Sequence, residues 1–469
     1  MTPAERHVEI SRVRFRRAIT LLLMTLVLPG SAQLVAGNKK IGRTAIRVVL
    51  ACLGIVAFVA VLGLLWHGFV FWFGSNTFML LLIRVGLCLL AIGWAFLFID
   101  AWRLGQPLGL VRKQRLWMVG LNGLLTFSTV AVLLYASHLV AVQRDFIITM
   151  FGDGVASEAH DGRYNVLLLG ADSGDDRWGL RTDSITVASI DEDSGQAVLF
   201  GLPRNLTAFP FPDGTVMAEQ FPDGYDDTLN SLATFALDNK ALFPGEKQPG
   251  IAATIQGVEG ITGLKINYYA MINHQGFRDL VTALGGLTLN VRERIPVGRD
   301  GKIDDWIEPG IRKLNGYETL WYARARAGSD DYSRMARQKC VINAMVQQLS
   351  PTKVITRFEA IAKATEGLIK TNLPASELDT FAQLALKART HPIRTVSFVP
   401  PLINTSDPDI ATIHDMVEKA TDGDAKPATK TSKKSKGFSR AQAQTTGGSK
   451  GSYASGYAAN ESENLSASC

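Results

Sequence analysis

The sequence predicts a layered α/β domain that follows an N-terminal α-helical membrane region with several spans. Three observations lead to this fold class. Hydrophobic residues make up 47% of the 469-residue chain, and they are concentrated before residue 142. Beyond that point, short apolar runs alternate with stretches of helical spacing, a pattern typical of strands and helices packed in layers. From about Thr421 the chain is rich in Lys, Ser, Gly, Ala and Thr, a composition typical of segments that do not fold.

Three apolar runs in the N-terminal part have the length of membrane spans. They cover Ile46 to Trp66, Phe78 to Ile99 and Leu116 to Val140. Each is near the ~20 residues that cross about 30 Å of hydrocarbon. A further stretch, 18–37, is interrupted by Pro29 and Gly30, so its uninterrupted apolar part is too short to span. We therefore predict three spans and a re-entrant or interfacial segment, with four full spans as the alternative.

The basic residues between these runs predict how the chain is inserted. Under the three-span arrangement, every connection on the cytoplasmic side is rich in Lys and Arg: Arg6, Arg12, Arg14, Arg16, Arg17, Lys39, Lys40, Arg43, Arg47, Arg103, Arg112, Lys113 and Arg115. The connection "HGFVFWFGSNT" on the other side has none. Because positive residues are retained in the cytoplasm, we predict a multi-pass protein of the cell membrane whose globular part is extracellular.

The predicted organisation has five parts. They are a basic cytoplasmic N-terminus with the re-entrant or interfacial segment at 1–45, transmembrane helices at 46–142, a linker at 143–162, a globular domain at 163–400, and a basic, low-complexity, disordered tail at 401–469. We interpret the tail as solvated chain, with loose attraction to anionic polymers or lipid head groups as the alternative. The four cysteines lack the regularly spaced pairs of a disulfide framework, so no disulfide is predicted.

Strand and helix patterns alternate through the globular part. "YNVLLLG" is a continuous apolar run that ends in glycine, typical of a strand buried on both faces. "SITVASI" and "QAVLFGL" follow as strands on either side of the turn signal "DEDSG". Helical spacing covers 230–239, 251–262, 275–284 and 342–349, and "LTLNV" is a short strand. "ETLWYARAR" is predicted to pass from a helical turn into a strand.

Two carboxylates stand where predicted strands end or begin. Asp172 follows the first strand, and Arg181 and Asp183 lie two residues apart at the start of the next. Residues two apart share one face of a strand, and two acids brought together this way repel unless a cation joins them. Their oxygen ligands suit magnesium, which keeps positions for water and phosphate, with manganese as the alternative metal. A structural salt bridge is the other interpretation of the same residues.

Several arginines are predicted to lie near these acids. Arg204 follows a strand, and Arg324 and Arg326 are predicted to share one strand face. Arg334 and Gln338 are four apart and therefore lie on one helix face. Arginines gathered at strand and helix ends need an anionic partner, and the planar guanidinium suits phosphate oxygens. No Ser-His-Asp set or Cys-X-X-Cys motif points to another chemistry.

These segments resemble the LytR-CpsA-Psr family of membrane-anchored extracellular phosphotransferases. The matching segments, in family order, are "YNVLLLGADS", "RTDSITVASI", "VLFGLPRNL", "YYAMINHQGFRDLVTALGGLTLNV", "LNGYETLWYARAR" and "DDYSRMARQKCVI". The resemblance implies an α/β/α sandwich with a central mixed sheet and an apolar cleft for a polyprenyl chain. It also implies transfer of a glycopolymer from a polyprenyl-pyrophosphate carrier to peptidoglycan, which forms a phosphodiester and leaves polyprenyl phosphate.

The resemblance assigns a role to each candidate site residue. The metal-binding acids of the family fall on Asp172 and Asp183. The pyrophosphate-binding residues fall on Arg181, Arg204, Arg324, Arg326, Arg334 and Gln338. The catalytic residues are expected to be Arg181, Arg204 and Asp331, of which Asp331 orients an arginine or assists the acceptor hydroxyl. Two positions depart from the family pattern, because Asn205 stands where Asp is frequent and Thr228 where a basic residue is common.

The implied mechanism is electrostatic, because phosphoryl transfer needs in-line positioning and charge neutralisation more than a covalent intermediate. The expected partners are the lipid-linked glycopolymer, peptidoglycan and the membrane, with no nucleic acid. Two alternatives use the same residues. One is a polyprenyl-pyrophosphate phosphatase, in which water attacks, and the other is a non-catalytic scaffold that binds carrier lipid during wall assembly. The intact acidic pair favours catalysis over scaffolding.

Overall fold

The structure, a computed structural model, describes residues 3–65, 67–151, 154–172, 181–299, 302–326, 330–349, 357–365, 368–422 and 457–469. The chain forms two compact units, Met1–Ile148 and Thr149–Cys469. In their described residues, the first unit is helical, whereas the second combines sheets and helices.

The helices of the first unit are α1 (Pro3–Val27), α2 (Ser31–Ala36), α3 (Lys39–Leu65), α4 (His67–Ser75), α5 (Thr77–Leu104) and α6 (Arg112–Phe151). Among the described residues, three helical stretches are long and apolar enough to cross a membrane: Lys39–Gly63, Thr77–Gly109 and Arg112–Phe151. They coincide with the three predicted spans. Because α6 continues to Phe151, the linker predicted at 143–162 begins inside a helix, which corrects that boundary.

A glycine produces the predicted break before the first span. Gly30 has a left-handed φ of 94°, and a Cβ at this position would lie 2.7 Å from the carbonyl oxygen of Gly42. Only glycine tolerates both conditions without strain. The chain therefore turns sharply after α1, and the short α2 packs against α3 instead of extending α1.

The strands of the second unit are β1 (Arg163–Asp172), β2 (Arg181–Asp191), β3 (Ala197–Leu202), β4 (Tyr268–Asn273), β5 (Leu287–Val291), β6 (Ile295–Arg299), β7 (Lys302–Ile307), β8 (Gly310–Leu314), β9 (Ile369–Thr371) and β10 (Arg394–Ser397). Six of them form a sheet in the order β10-β3-β2-β1-β4-β9, and β5-β8 and β6-β7 form two-stranded sheets. Strand β1 pairs in parallel with β4 and antiparallel with β2. The predicted mixed sheet is therefore confirmed.

The helices of the second unit are α7 (Val216–Gln220), α8 (Leu232–Asp238), α9 (Pro249–Thr262), α10 (His274–Ala283), α11 (Gly316–Arg324), α12 (Asp331–Gln348), α13 (Phe358–Thr365), α14 (Leu378–Ala388), α15 (Ile410–Thr421) and α16 (Leu465–Ser468). Helices α8, α9 and α10 confirm the predictions at 230–239, 251–262 and 275–284. The predicted strand in "ETLWYARAR" is wrong, because residues 318–324 lie in α11 and residues 325–326 follow it outside any strand. A capping box between Asn315 and Glu318 begins this helix, and it satisfies backbone N–H groups that the first turn of a helix leaves without an intrahelical partner.

Apolar side chains pack on both faces of the six-stranded sheet. Val198, Phe200 and Leu202 of β3 point into a core that also contains residues of α8, α9 and α15. Leu199 of the same strand joins a second cluster with Ala336 of α12. Alternate residues of one strand thus serve opposite faces, as expected for a strand that is buried throughout.

The disordered tail predicted at 401–469 is wrong for the part of it that the structure describes. Ile413 and Val417, four residues apart on α15, are buried in the main core. The last segment, 457–469, buries Leu465 and is joined to α12 by a disulfide between Cys340 and Cys469. This disulfide corrects the prediction that there would be none. Regular local spacing could not indicate this pair, because the two cysteines are separated by 129 positions.

Candidate functional site

The pairing register between β1 and β2 changes at Asp183 and leaves this residue unpaired. Gly170 pairs with Ser184 and Ala171 pairs with Thr182, so Asp183 has no partner residue on β1. A bulge of this kind bends a strand and re-aims a side chain, and it also interrupts the two-residue alternation of faces. The side chain of Asp183 consequently remains partly accessible, whereas that of Thr182 is fully buried.

Arg204, in the loop that follows β3, joins two carboxylates. Its Nη1 donates a hydrogen bond to Oδ1 of Asp183, and its Nε lies 3.3 Å from Oδ2 of Asp331. The loop itself is held because the carbonyl oxygen of Arg204 accepts from the backbone of Asn230 at 3.0 Å. The guanidinium therefore lies between an acid on the sheet and an acid on α12.

The first turn of α12 supplies the other half of the arrangement. Asp331 begins this helix, and Nη2 of Arg334 donates to its Oδ2 at 2.9 Å. The same Nη2 donates to the backbone oxygen of Asp183 at 3.0 Å, which ties the helix to the bulge of β2. Nη1 of Arg326, just after α11, lies 3.9 Å from Oδ1 of Asp331. We call Asp183, Arg204, Arg326, Asp331 and Arg334 the acid–arginine cluster.

The members of the cluster differ in how far they reach solvent. The side chain of Arg334 is 4% exposed, whereas that of Arg326 is 48% exposed. Three guanidinium groups face two carboxylates, so the cluster has one formal positive charge in excess. Oδ1 of Asp331 and Nε of Arg334 are buried without a hydrogen-bond partner among the described residues. Such groups are rare in native proteins and often mark functional sites, and the excess positive charge favours an anionic ligand.

Electrostatics within the cluster shift three of its pKa values. Burial alone would raise the pKa of Asp183, but the charge and hydrogen bond of Arg204, with Arg334 and Arg326, lower it below its ordinary value. Burial would lower the pKa of Arg204, and the nearby Asp331 and Asp183 raise it instead. Burial lowers the pKa of Arg334 to about 10, against the opposing attraction of Asp331. All three groups are charged at neutral pH.

Two further predicted site residues, Arg181 and Asp172, stand opposite each other at the ends of β2 and β1. Arg181 is exposed at the start of β2, where its backbone pairs with Asp172. The side chain of Asp172 is outside the described part of the structure, so the paired-acid metal site stays a prediction. Within the described ranges, no group of three His, Cys, Asp or Glu residues could hold a metal ion.

Arg324 and Arg326 do not share a strand face, which corrects that prediction. Arg324 is the last residue of α11, and its guanidinium lies 4.9 Å from the ring centre of Trp321. Arg326 follows the helix and approaches Asp331 instead. Gln338 lies on α12 and donates from Nε2 to the carbonyl oxygen of Ala323 at 3.2 Å. Only Arg326 of these three joins the cluster by these contacts.

The sequence did not indicate a buried polar group that involves a lysine of α12. Lys339 is 1% exposed, and its Nζ donates to Oγ of Ser397 and to Oδ1 of Asn460. Burial lowers its pKa to about 7. No sequence signal indicated this group, because Asn460 lies in the segment assigned to a disordered tail.

Aromatic side chains gather in the chain that follows Arg204. Phe209, Phe211, Phe221, Tyr225 and Phe235 form edge-on or tilted pairs with ring centres 5.0–6.3 Å apart. They belong to the core cluster on the face of the sheet that contains α8 and α9. These aromatic side chains therefore form part of the apolar core on that face of the sheet.

Comparisons with known proteins give one matching family and several relatives. The sequence profile of the LytR_cpsA_psr family matches residues 139–419. Biofilm regulatory protein A of Streptococcus mutans is 25% identical over 265 residues, which are 55% of this chain and 61% of that protein. The polyisoprenyl-teichoic acid–peptidoglycan teichoic acid transferase TagU of Enterococcus faecalis is 30% identical over 232 residues, 48% of this chain and 66% of that protein.

The chain thus spans slightly less than two thirds of the length of each of these two relatives. Among solved structures, that of B. subtilis TagV is 21% identical and matches 55% of this chain and 97% of that chain, with a TM-score of 0.40.

Proposed function

The chain belongs to the LytR-CpsA-Psr family, and we propose that it is a membrane-anchored phosphotransferase that moves a glycopolymer from a polyprenyl-pyrophosphate carrier to peptidoglycan. The acid–arginine cluster is the observation that carries this proposal. Side chains from β2, the loop after β3, the end of α11 and the start of α12 converge there with an excess of positive charge. The name of the TagU relative supports the same class of reaction.

The exposed fraction of each arginine side chain indicates which arginines would contact the substrate and which would only position other residues. Arg326 of the cluster and Arg181 at the start of β2 are accessible and would contact the pyrophosphate oxygens, together with the partly exposed Arg204. Arg334 is too buried to reach far, so it would hold Asp331 and the backbone of Asp183 in place. Preorganised donors of this kind stabilise charge that develops on phosphate oxygens without reorganising during the reaction.

The proposed reaction is one in-line displacement at phosphorus. A hydroxyl oxygen of peptidoglycan forms a bond to the phosphorus that bears the glycopolymer. The bond from that phosphorus to the bridging pyrophosphate oxygen breaks, and polyprenyl phosphate leaves with the electron pair. Asp331, held by Arg334, would orient the guanidinium group of Arg204 toward the phosphates. The hydroxyl proton ends on the departing phosphate, so atoms and charge balance without a covalent enzyme intermediate.

Magnesium at Asp172 and Asp183 is part of the proposal. The donor set suits it, because both residues are carboxylates at paired ends of β1 and β2, and Arg204 engages Oδ1 of Asp183 but not its Oδ2 by the contacts described. Bound there, the ion would neutralise charge on the pyrophosphate. Phe221 and Phe235, the partly exposed members of the aromatic group after Arg204, would line the path of the polyprenyl chain. Helices on both faces of the sheet would complete an α/β/α sandwich.

A reconstituted transfer assay tests the proposed function. Full-length protein in detergent is given a polyprenyl-pyrophosphate-linked oligosaccharide and peptidoglycan fragments, and mass spectrometry follows the product. We expect the oligosaccharide on peptidoglycan through a phosphodiester, together with polyprenyl phosphate. Release of the oligosaccharide phosphate into water in the presence of peptidoglycan would indicate a phosphatase. Binding of the donor without any turnover would indicate a scaffold, and either result would overturn the proposal.

The catalytic unit is expected to lie outside the cytoplasm. Disulfides such as Cys340–Cys469 form in oxidising compartments, and the basic connections favour the same topology. With Cys52 and Cys88 changed to serine, a membrane-impermeant maleimide should label Ile311→Cys in intact cells, because this side chain is 80% exposed. Lys40→Cys, the matched cytoplasmic position, should be labelled only after permeabilisation. The reverse pattern would contradict the exported enzyme.

A further inference from the structure

Residues 457–469, which we call the C-terminal strap, hold α12 at several points. Nδ2 of Asn460 donates to the carbonyl oxygen of Tyr332 at 2.8 Å, in the first turn of the helix. Oδ1 of Asn460 accepts from Nζ of Lys339 at 2.8 Å, about two turns further on. The next residue, Cys340, is bonded to Cys469. One short segment therefore fastens both the beginning and the middle of α12.

The strap also holds the edge of the central sheet. Strand β10 is the last strand on one side of that sheet. The backbone of Ser462 exchanges two hydrogen bonds with Thr395 of β10, at 2.8 and 3.0 Å. The backbone N–H of Leu465 donates to the carbonyl oxygen of Ile393 at 2.9 Å. The strap thus bridges the sheet edge and α12, which fixes one relative to the other.

Asn460 is the centre of this bridge because it satisfies two buried groups at once. Asn460, Lys339 and Ser397 are each 1% exposed. An asparagine side chain offers both a carbonyl acceptor, here for Lys339, and an amide donor, here for Tyr332. Loss of either contact would leave a buried polar group unpaired, which costs more than the hydrogen bond itself contributes.

The point where Asn460 holds α12 is next to the acid–arginine cluster. Tyr332 directly follows Asp331, and Arg334 lies two residues further along the same turn. Arg334 in turn bonds the backbone of Asp183 on the bulge of β2. A shift of the first turn would therefore move Asp331 and Arg334 relative to Arg204.

We propose that Asn460 is a positioning residue for the acid–arginine cluster, acting through the first turn of α12 and fastened in place by the Cys340–Cys469 disulfide. The effect on transfer rests on the proposed function, whereas the positioning of the helix does not.

The substitution Asn460→Asp separates positioning from stability. Aspartate still accepts from Lys339, as an ion pair, but an ionised carboxylate cannot donate to Tyr332. Hydrogen–deuterium exchange of the full-length protein in detergent measures the consequence directly. We expect amides of residues 331–338 to exchange about tenfold faster, while those of α9 keep the parental rate. Glu461→Ala, at the exposed position next to Asn460 in the same strap, is the matched control and should behave as parental.

Transfer by the same variant gives the second measurement. We expect kcat per folded molecule to fall about tenfold with little change in KM. Reduction with dithiothreitol, which gives two electrons to the disulfide and itself closes to a cyclic disulfide, should loosen the same residues. Parental exchange at 331–338 in Asn460→Asp would overturn the proposal, as would equal loosening of α9. If the parental protein itself does not transfer, the proposed function fails and the exchange result alone decides the positioning.

Discussion

Replacing Arg334 with lysine is expected to lower the transfer rate on the order of a hundredfold. A lysine keeps the charge but loses the planar group, whose Nη2 donates to both Asp331 and the backbone of Asp183. A hydrogen bond to a charged group contributes about 1.5–3 kcal/mol, and each 1.4 kcal/mol lost from transition-state binding slows the reaction tenfold. The buried position also leaves little room for water to replace the lost contacts.

Comparing Arg334→Lys with a control variant distinguishes a functional cluster from a merely structural one. Arg312→Lys is the matched control, because Arg312 is exposed on β8 and bonds only to the nearby backbone of Pro309 by the contacts described. Turnover per folded molecule is measured beside the melting temperature for both variants. A structural cluster would give Arg334→Lys a lower melting temperature with near-parental turnover of the folded fraction, and that outcome would refute the proposed role.

Replacing Asp183 with asparagine is expected to lower transfer at least a hundredfold and to raise the magnesium concentration that half-saturates the reaction. Asparagine has nearly the same shape, but it is neutral, so it weakens both the pairing with Arg204 and the proposed metal site. Transfer is measured over a magnesium titration that begins in excess chelator. Asp191→Asn, a partly exposed acid at the other end of β2, is the control.

Two results would count against the metal site at Asp183. One is that the unsubstituted protein turns over at the same rate in saturating chelator as without it, which would show that no metal is needed. The other is an unchanged magnesium titration for Asp183→Asn together with a lower melting temperature. The second result would favour the structural salt bridge that the sequence left open, in which Asp183 serves only Arg204.

The predictable parts of the fold are those where local pattern and tertiary packing agree. Helix α9 has helical spacing and a buried face, and β5 alternates buried and exposed residues. Both could be predicted because each pattern is complete within one element. The prediction of a strand around Arg324 was wrong because the capping box of Asn315 and Glu318 begins a helix there, and these two residues lie outside the "YARAR" pattern.

Residues of the candidate site could be predicted from the sequence, but their arrangement could be predicted only in part. The sequence placed Asp183, Arg204 and Arg334 near one another, and the structure brings them together. The bulge that isolates Asp183 depends on how two strands pair, which one strand alone does not encode. Asn460 was missed for a related reason. Its function depends on Lys339, 121 positions earlier in the chain, and its surroundings have a composition typical of disorder.

The Cys340–Cys469 disulfide gives the protein an unusual response to proteolytic nicking. The bond closes a ring across 129 positions. The basic residues inside that ring, after which trypsin-like proteases cut, include Lys430, Lys433, Lys434, Lys436, Arg440 and Lys450. A cut at one of them divides the polypeptide but leaves its two pieces covalently joined through sulfur. Nicked protein would therefore migrate as one species on a gel without reductant and release a short C-terminal peptide only when a thiol is added.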